Sequence, residues 1–428
     1  MTNLPVGWKL ATLNDLQSDE PRAITDGPFG SSLSSAHYSE SGPRVVRLQN
    51  IGDGIFNDAR AHISESHFNA LRTHEVLPGD LIVASLGEVL PRACLAPASL
   101  GPAIVKADCI RVRLSPQVDP RWVMYSMQRP QVRRWADDHR HGVGRPRLGL
   151  KVIRQIPVPL PSLADQQRIV DILEDHLSRL DAATDLLDSV ARRTSAWRRS
   201  VVDGQLWQSP HPEVRVTELL AEPLRNCHSA PAVRDGSSGI RTLTLTAVTR
   251  NEFTDEFTKV TSADPHRVRD LWLRNGDLLV QRANTPELVG TTAMFSGQDG
   301  WAIYPDLLIR LRPNEQRVLS GYLCAVLRSE RAHREMRAKA KGLAGSMPKI
   351  DQAAIGSITV PLPDLETQQA LLVHLNEVDS AHERTTAKMA AAATRAQLLR
   401  RTLLSAAFSG RLTGRSSDME IVEEMAGV

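Results

Sequence analysis

The 428-residue sequence predicts an α+β protein built twice over, in the order domain, long helix, domain, long helix. Three observations predict it. Residues 153–206 and 355–412 are versions of each other: Val158-Pro159-Leu160-Pro161 matches Val360-Pro361-Leu362-Pro363, and Gln166-Gln167 matches Gln368-Gln369, all 202 positions apart. Strand-like runs precede each copy in the same order. Gly79-Asp80-Leu81 is answered by Gly276-Asp277-Leu278, 197 positions on and close to the same offset. A repeat near 200 residues is too long for a solenoid unit, so it reads as a duplicated two-part module. The expected bounds are a domain over 1–152, a helix over 153–208, a domain over 209–352, a helix over 353–414 and a polar tail over 415–428.

In the first domain "GWKLATLNDL" opens the chain and "TDGPFGSSL" is a Gly/Pro turn cluster. "RVVRLQNI", "GDLIVASLGE" and "CIRVRL" read as strands. "RWVMYSMQRPQVRRWADD" then changes to helical spacing. In the second domain "RTLTLTAV", "NGDLLVQRAN" and "LIRLRP" take the corresponding places, followed by helical "LSGYLCAVLRSERAHREMRAK". The nearest counterpart of "GPFGSSL" is the weak "DGSSG" at 235–239. The Asp of each Gly-Asp-Leu run is expected to be a turn residue.

Each long helix has legible ends. Proline keeps Val-Pro-Leu-Pro extended, and Ser162 and Asp364 stand where an N-cap oxygen is wanted. Gly204 and Gly410 are expected to supply left-handed stops. They lie 206 apart, so the second helix is expected to be longer by four residues, about one turn. Between these ends apolar residues step by three and four, through Leu173, Leu180, Leu187 and Trp197 in one copy and Leu375, Met389 and Leu399 in the other. Such a seam asks for a partner helix, and the natural one is the other copy. A long helical hairpin without a binding role would look the same. Roughly 40 residues give a rod of about 60 Å. The acidic tail after Leu412 is expected to fray.

A net charge of +3 means that any nucleic-acid surface must come from local clustering. Four widely spaced cysteines without a CxxC fit a reducing compartment better than a disulfide framework. No signal-like leader and no run approaching 18 apolar residues is present, so a soluble, cytoplasmic protein without membrane contact is expected. The sequence contains no GxxxxGK[ST], HExxH or GxSxG motif, and no nuclease-type Asp…Glu-x-Lys follows either Gly-Asp-Leu. No catalytic constellation, metal site or cofactor is expected.

Charge does cluster. Residues 121–154 hold nine Arg/Lys, and 328–349 hold seven, at equivalent places before each long helix. Arg133, Arg134, Arg140, Arg145, Arg147 and Lys151 in the first cluster are candidate DNA-binding residues, as are Arg337, Lys339, Lys341 and Lys349 in the second. Clustered cations on a nearly neutral chain are the footprint of phosphate binding, although a solvated basic helix face has the same composition. Gln49, Asn50 and Arg282, with Gln281 and Asn284, follow strand-like runs and are candidates for reaching base edges.

The opening "LPVGW", the "GPFGSSL" at 27–33, the two "VPLP…QQ" runs, the "DGQL" and "SGRL" helix ends and the repeat order together resemble the DNA specificity subunit of type I restriction–modification systems. The resemblance covers nearly the whole chain. It implies two globular target recognition domains, each reading half of a bipartite asymmetric duplex site. It implies two conserved long helices forming an antiparallel coiled coil, with an internal pseudo-two-fold repeat. It further implies a non-catalytic subunit that docks two adenine methyltransferase subunits and, with them, motor–nuclease subunits. Competing expectations are a specificity factor of a related phage-defence methylation system, a self-sufficient enzyme, and a coiled-coil interaction protein indifferent to DNA.

Overall fold

The computed structural model describes residues 4–142, 144–207, 211–233, 239–342, 347–412 and 417–427. It divides into two compact units, Met1–Leu187 with Ala390–Val428 and Asp188–Met389. Each unit holds a globular α+β domain and one half of each long helix.

In unit 1 an antiparallel sheet runs in the order Ile24–Asp26, Cys109–Val112, Leu81–Ala84, Arg92–Leu95. Leu81, Ile82, Val83 and Ala84 are all fully buried, so this short apolar run is covered on both faces. A second sheet orders His62–Ile63, Tyr38–Val46, Ala103–Val105 and Glu75–Val76, with its one parallel pair at Val45↔Ile104. "RVVRLQNI" is a strand only to Val46; Leu48–Asn50 turns. Helices Pro120–Met127 and Pro130–His139 each start on a proline, whose fixed φ suits the first turn. Unit 2 repeats the first sheet and the helix pair, while its second sheet has two strands, Ile240–Leu243 and Thr258–Thr261. Its first sheet orders Leu220–Asn226, Leu308–Pro313, Leu278–Gln281, Thr292–Met294, and its helices are Ser320–Arg328 and Glu330–Lys339. The weak counterpart "DGSSG" lies, at 235–238, outside the described residues.

The long helices span Leu163–Trp207 and Leu365–Ala407. The beginning of the first shares a core with the end of the second: Leu173 and Leu177 are buried in one cluster with Leu399, Leu403 and Leu404, and Asp181 pairs with Arg400 at 2.6 Å. In unit 2 the opposite halves meet, through Leu206 and Leu375 in one core and Arg198 to Asp379 at 2.7 Å. The pairing is therefore antiparallel.

Several expectations need correction. Trp197 is 57% exposed and is not a seam residue, while Leu180, Leu187 and Met389 are only half-buried. No residue is buried between Asp181 and Ala196 or between Asp379 and Leu398. Gly204 does not stop its helix, which continues to Trp207; Gly410 does adopt the left-handed conformation, at φ 71°. The helices contain 45 and 43 residues, so the second is not the longer. Nor is all of the tail frayed. Asp418–Ala426 is a helix whose Val422 is buried, whose Met419 and Met425 pack on the unit 1 core, and whose Glu423 meets Arg395 at 3.1 Å. The apolar spacing Met419, Val422, Ala426 gives it a stripe to bury.

Candidate nucleic-acid interface

The basic loops of the two units are built alike. In unit 1 His141 and Arg147 exchange backbone hydrogen bonds of 3.0 and 2.9 Å. The Leu148 N–H donates to the Ser85 carbonyl at 2.8 Å and the Gly87 N–H to the Pro146 carbonyl at 3.3 Å. These bonds stitch the loop to the end of strand Leu81–Ala84. In unit 2 Lys341 and Lys349 exchange the same pair of bonds, at 2.8 and 2.9 Å, and the Ile350 N–H donates to the Arg282 carbonyl at 2.8 Å. Arg147 and Lys349 are 202 apart, the offset of the helices.

The unit 1 loop borders an open groove of about 630 Å³ lined by Arg47, Gln49, Glu88, Arg92, Lys106 and Arg145, among others. Beside it lies a hollow of about 450 Å³ between His141, Arg145, Arg147 and Asp108. Arg47, Arg92 and Lys106 come from separate parts of two sheets, and for this reason the linear charge count misses them. The "GPFGSSL" cluster supplies an aromatic rim: Phe29 is half exposed, with the Arg147 guanidinium 6.0 Å from its ring centre. A Cβ on Gly27 would come within 2.2 Å of the Lys106 carbonyl carbon, so only glycine allows this loop to lie against the groove.

The candidates divide by what they touch. Arg134, Arg145, Lys151, Lys341 and Lys349 are exposed and have no ion-pair partner among the described residues; half-buried Arg282 likewise has none. Arg133 pairs with Asp53, Arg147 with Asp108, and Arg140 with Asp137 at 3.3 Å. Arg337 meets Glu330 at 3.3 Å, and Lys339 meets Glu335 at 3.2 Å and the Ser357 hydroxyl at 2.8 Å. Gln49 is exposed at the groove. Asn50, expected at a base edge, is buried. Its amide donates to the Asn57 and Ala59 carbonyls at 2.7 and 2.8 Å while its oxygen accepts from the Arg47 N–H at 2.8 Å, so it pins a turn. Gln281 is also buried, donating to the Thr249 hydroxyl at 2.7 Å and accepting from Asn284 at 2.6 Å.

Other cations of the clusters face inward. Arg121 ties helix Pro120–Met127 to the long helix through Asp171 at 2.9 Å and Glu174 at 2.8 Å. Arg154 donates to the Ile24 carbonyl at 2.7 Å. Arg129 is buried over Phe408, and burial pushes its guanidinium down to about 10. Arg331 stays exposed, with its guanidinium 4.2 Å from the Trp207 ring centre.

Two duplicated clamps hold these surfaces. Gln166 is buried where the long helix starts; its oxygen accepts from the Asp119 N–H at 3.0 Å and its amide donates to the Pro161 carbonyl at 3.1 Å. Gln368 does the same for the Leu319 N–H and the Pro363 carbonyl, both at 2.8 Å, and also donates to the Arg317 carbonyl at 3.1 Å. Around them strand Lys9–Thr12 pairs with Pro157–Leu160, and Glu213–Arg215 with Thr359–Pro361. The second clamp is the Gly-Asp-Leu aspartate. Asp80 accepts from the Leu77 N–H and from Nε and Nη2 of Arg113, at 3.0 and 2.9 Å; Asp277 accepts from the Arg274 N–H and from Nε and Nη2 of Arg312, at 2.7 and 2.8 Å. Glu20 and Glu222 complete the two networks. Against burial, Arg312, Arg310 and Arg274 hold Glu222 below the usual carboxylate range.

Among the described residues no group of three His, Cys, Asp or Glu is placed to hold a metal ion, and no helix is long and apolar enough to cross a membrane. The four cysteines are free and buried; burial pushes the thiols of Cys94 and Cys109 up to about 12 and that of Cys324 to about 11. His139 stacks on Trp135 at 4.3 Å.

Residues 101–191 match the family model described as the type I restriction modification DNA specificity domain. The chain is 20% identical, over 96% of its own length and 90% of the relative's, to the type I restriction enzyme StySPI specificity subunit of Salmonella potsdam. It is 24% identical to the EcoKI specificity subunit of Escherichia coli strain K12, over 61% of this chain and 58% of that one. A solved structure concerned with complex assembly and conformational transition of the type I R-M system matches with a TM-score of 0.75 and 18% identity, covering 96% of this chain and 100% of that chain. The HsdS subunit from Thermoanaerobacter tengcongensis matches with a TM-score of 0.54 and 18% identity, over 96% and 99% of the two chains. By the domain matched over residues 101–191, by a relative along nearly its whole length and by fold, the chain is similar to the DNA specificity subunits of type I restriction–modification systems.

Proposed function

We infer that this chain reads a bipartite, asymmetric site in double-stranded DNA and brings two adenine methyltransferase subunits, and with them motor–nuclease subunits, to that site. The observation that carries the reading is the cation-bearing loop built twice by the same backbone bonds, His141–Arg147 and Lys341–Lys349. Each loop presents cations without carboxylate partners among the described residues, Arg145 in one unit and Lys341 and Lys349 in the other, and such cations are free to displace counterions from phosphate. The domains differ in sequence while the helix starts match, which suits two different half-sites held by one common scaffold. No reaction is assigned to the chain itself; adenine methylation belongs to the partner subunits.

The test is duplex binding by the full chain, followed by fluorescence anisotropy across a NaCl series. Charge reversal of Arg145 or Lys349 should weaken binding to all duplexes and lower the slope of log K against log salt by about 1 for each phosphate no longer neutralised. Unchanged affinity and slope in both variants would contradict the reading.

A further inference from the structure

The basic loops flank two equivalent hairpins, and the tip of each hairpin carries a glutamate. In unit 1, strands Leu81–Ala84 and Arg92–Leu95 are joined by residues 85–91, where Glu88 and Val89 are both exposed. Glu88 lines the groove shared with Arg47, Arg92, Lys106 and Arg145. In unit 2, strands Leu278–Gln281 and Thr292–Met294 are joined by residues 282–291, with Glu287 exposed and Leu288 half-buried after it. The two tips align as Glu88-Val89-Leu90 and Glu287-Leu288-Val289, 199 apart, the offset that also relates Arg111 and Arg113 to Arg310 and Arg312.

Both tips are held in place. The Gly87 N–H bonds to the Pro146 carbonyl at 3.3 Å, and the His333 Nε2 bonds to the Val289 carbonyl at 3.0 Å. The Thr285 N–H bonds to the Asn284 side-chain oxygen at 2.8 Å. Neither glutamate forms an ion pair among the described residues. Its own backbone N–H and the Thr285 hydroxyl hold the Glu287 carboxyl below the usual range, so it is ionised at neutral pH.

An ionised carboxylate on a surface that meets DNA is repelled by every phosphate. It is tolerated where it meets a hydrogen-bond donor, and in the major groove the donors are the exocyclic amino groups of cytosine and adenine. That groove is wide enough to admit a two-stranded ribbon. We propose that Glu88 and Glu287 are base-reading residues, each accepting a hydrogen bond from the amino group of a cytosine or adenine, one in each half of the site. The cationic loops on either side then engage the flanking phosphates. The proposal rests on the DNA-reading function proposed above.

The test is selection from a library of duplexes with a randomised central segment, using the full chain and the variants Glu88→Gln and Glu287→Gln. The wild-type chain should enrich a two-part motif. Each variant should lose discrimination, by roughly 5- to 150-fold, at one position of one half only, and leave the other half unchanged. Overall duplex affinity at low salt should hold or rise, because a negative charge has gone. If both variants return the wild-type motif in both halves, with only a uniform gain in affinity, the glutamates are rim charges and the inference is overturned. A wild-type chain that enriches no motif overturns the recognition reading and the inference with it. Both positions are exposed, so unfolding transitions identical to wild type are expected in either variant.

Discussion

Replacing Gln166 or Gln368 by leucine should loosen a recognition domain from its helix without removing bulk. In wild type, Gln166 is 1% exposed and makes two hydrogen bonds to main chain, while Gln368 is fully buried and makes three. Leucine is of similar size, so the change strands main-chain groups rather than opening a large cavity. An unsatisfied buried N–H costs about 1–3 kcal/mol, and each further missing bond about 1 kcal/mol. The expected losses are therefore about 3 kcal/mol for Gln166→Leu and about 4 kcal/mol for Gln368→Leu. Each loss should appear in the unfolding of the unit that holds the residue. Guanidinium titration followed by tryptophan fluorescence reads this as a lowered midpoint at unchanged slope. Losses below about 0.5 kcal/mol in both variants would refute the clamp.

Asp277→Ala should destabilise unit 2 by about 3 kcal/mol, because it strips the nearly buried Arg312 of one carboxylate and leaves only Glu222; a loss below about 1 kcal/mol would contradict this. Burial depresses the His333 pKa below its ordinary 6.5, so the unfolded chain takes up a proton first on acidification. The stability that neutral His333 contributes is complete above about pH 6.5 and is lost as pH falls through the folded value. The wild-type advantage over His333→Gln in thermal unfolding should therefore shrink between pH 7 and pH 5, and an advantage that grows would contradict it. The native chain should react slowly with a disulfide reagent and the denatured chain should show four thiols, since all four are buried; fast native labelling at Cys94 or Cys109 would count against the fold.

The architecture is legible because the chain states it twice. Two extended Val-Pro-Leu-Pro runs, two Gln-Gln pairs and two Gly-Asp-Leu turns fix the order of elements without any knowledge of tertiary packing. The details that escape such reading depend on neighbours. Trp197 falls on the helical seam by spacing, yet nothing buries its ring, which is 57% exposed. Gly204 looks like a stop, but a glycine can continue a helix, and this helix runs on until Leu206 reaches the unit 2 core. The tail looks too acidic to order, although its apolar spacing of three and four is there to be found.

The candidate interface is legible as charge and not as geometry. Counting cations finds the loops at Arg145–Arg147 and Lys341–Lys349, but it also sweeps in Arg121, Arg129 and Arg154, which face inward. It misses Arg47, Arg92 and Lys106, which are brought together only by strand pairing. Asn50 and Gln281 illustrate the opposite error. A polar residue at a strand end reads as available, but here each satisfies buried backbone or side-chain partners.

The most direct test of the proposed function is a base-resolution map of adenine methylation in a methylation-free host expressing this chain with a candidate adenine methyltransferase subunit. A two-part motif with an unread gap is expected, with one half altered when the Arg145 loop is changed and the other when the Lys349 loop is changed. No new methylation, or a single uninterrupted motif indifferent to one of the two loops, would contradict it.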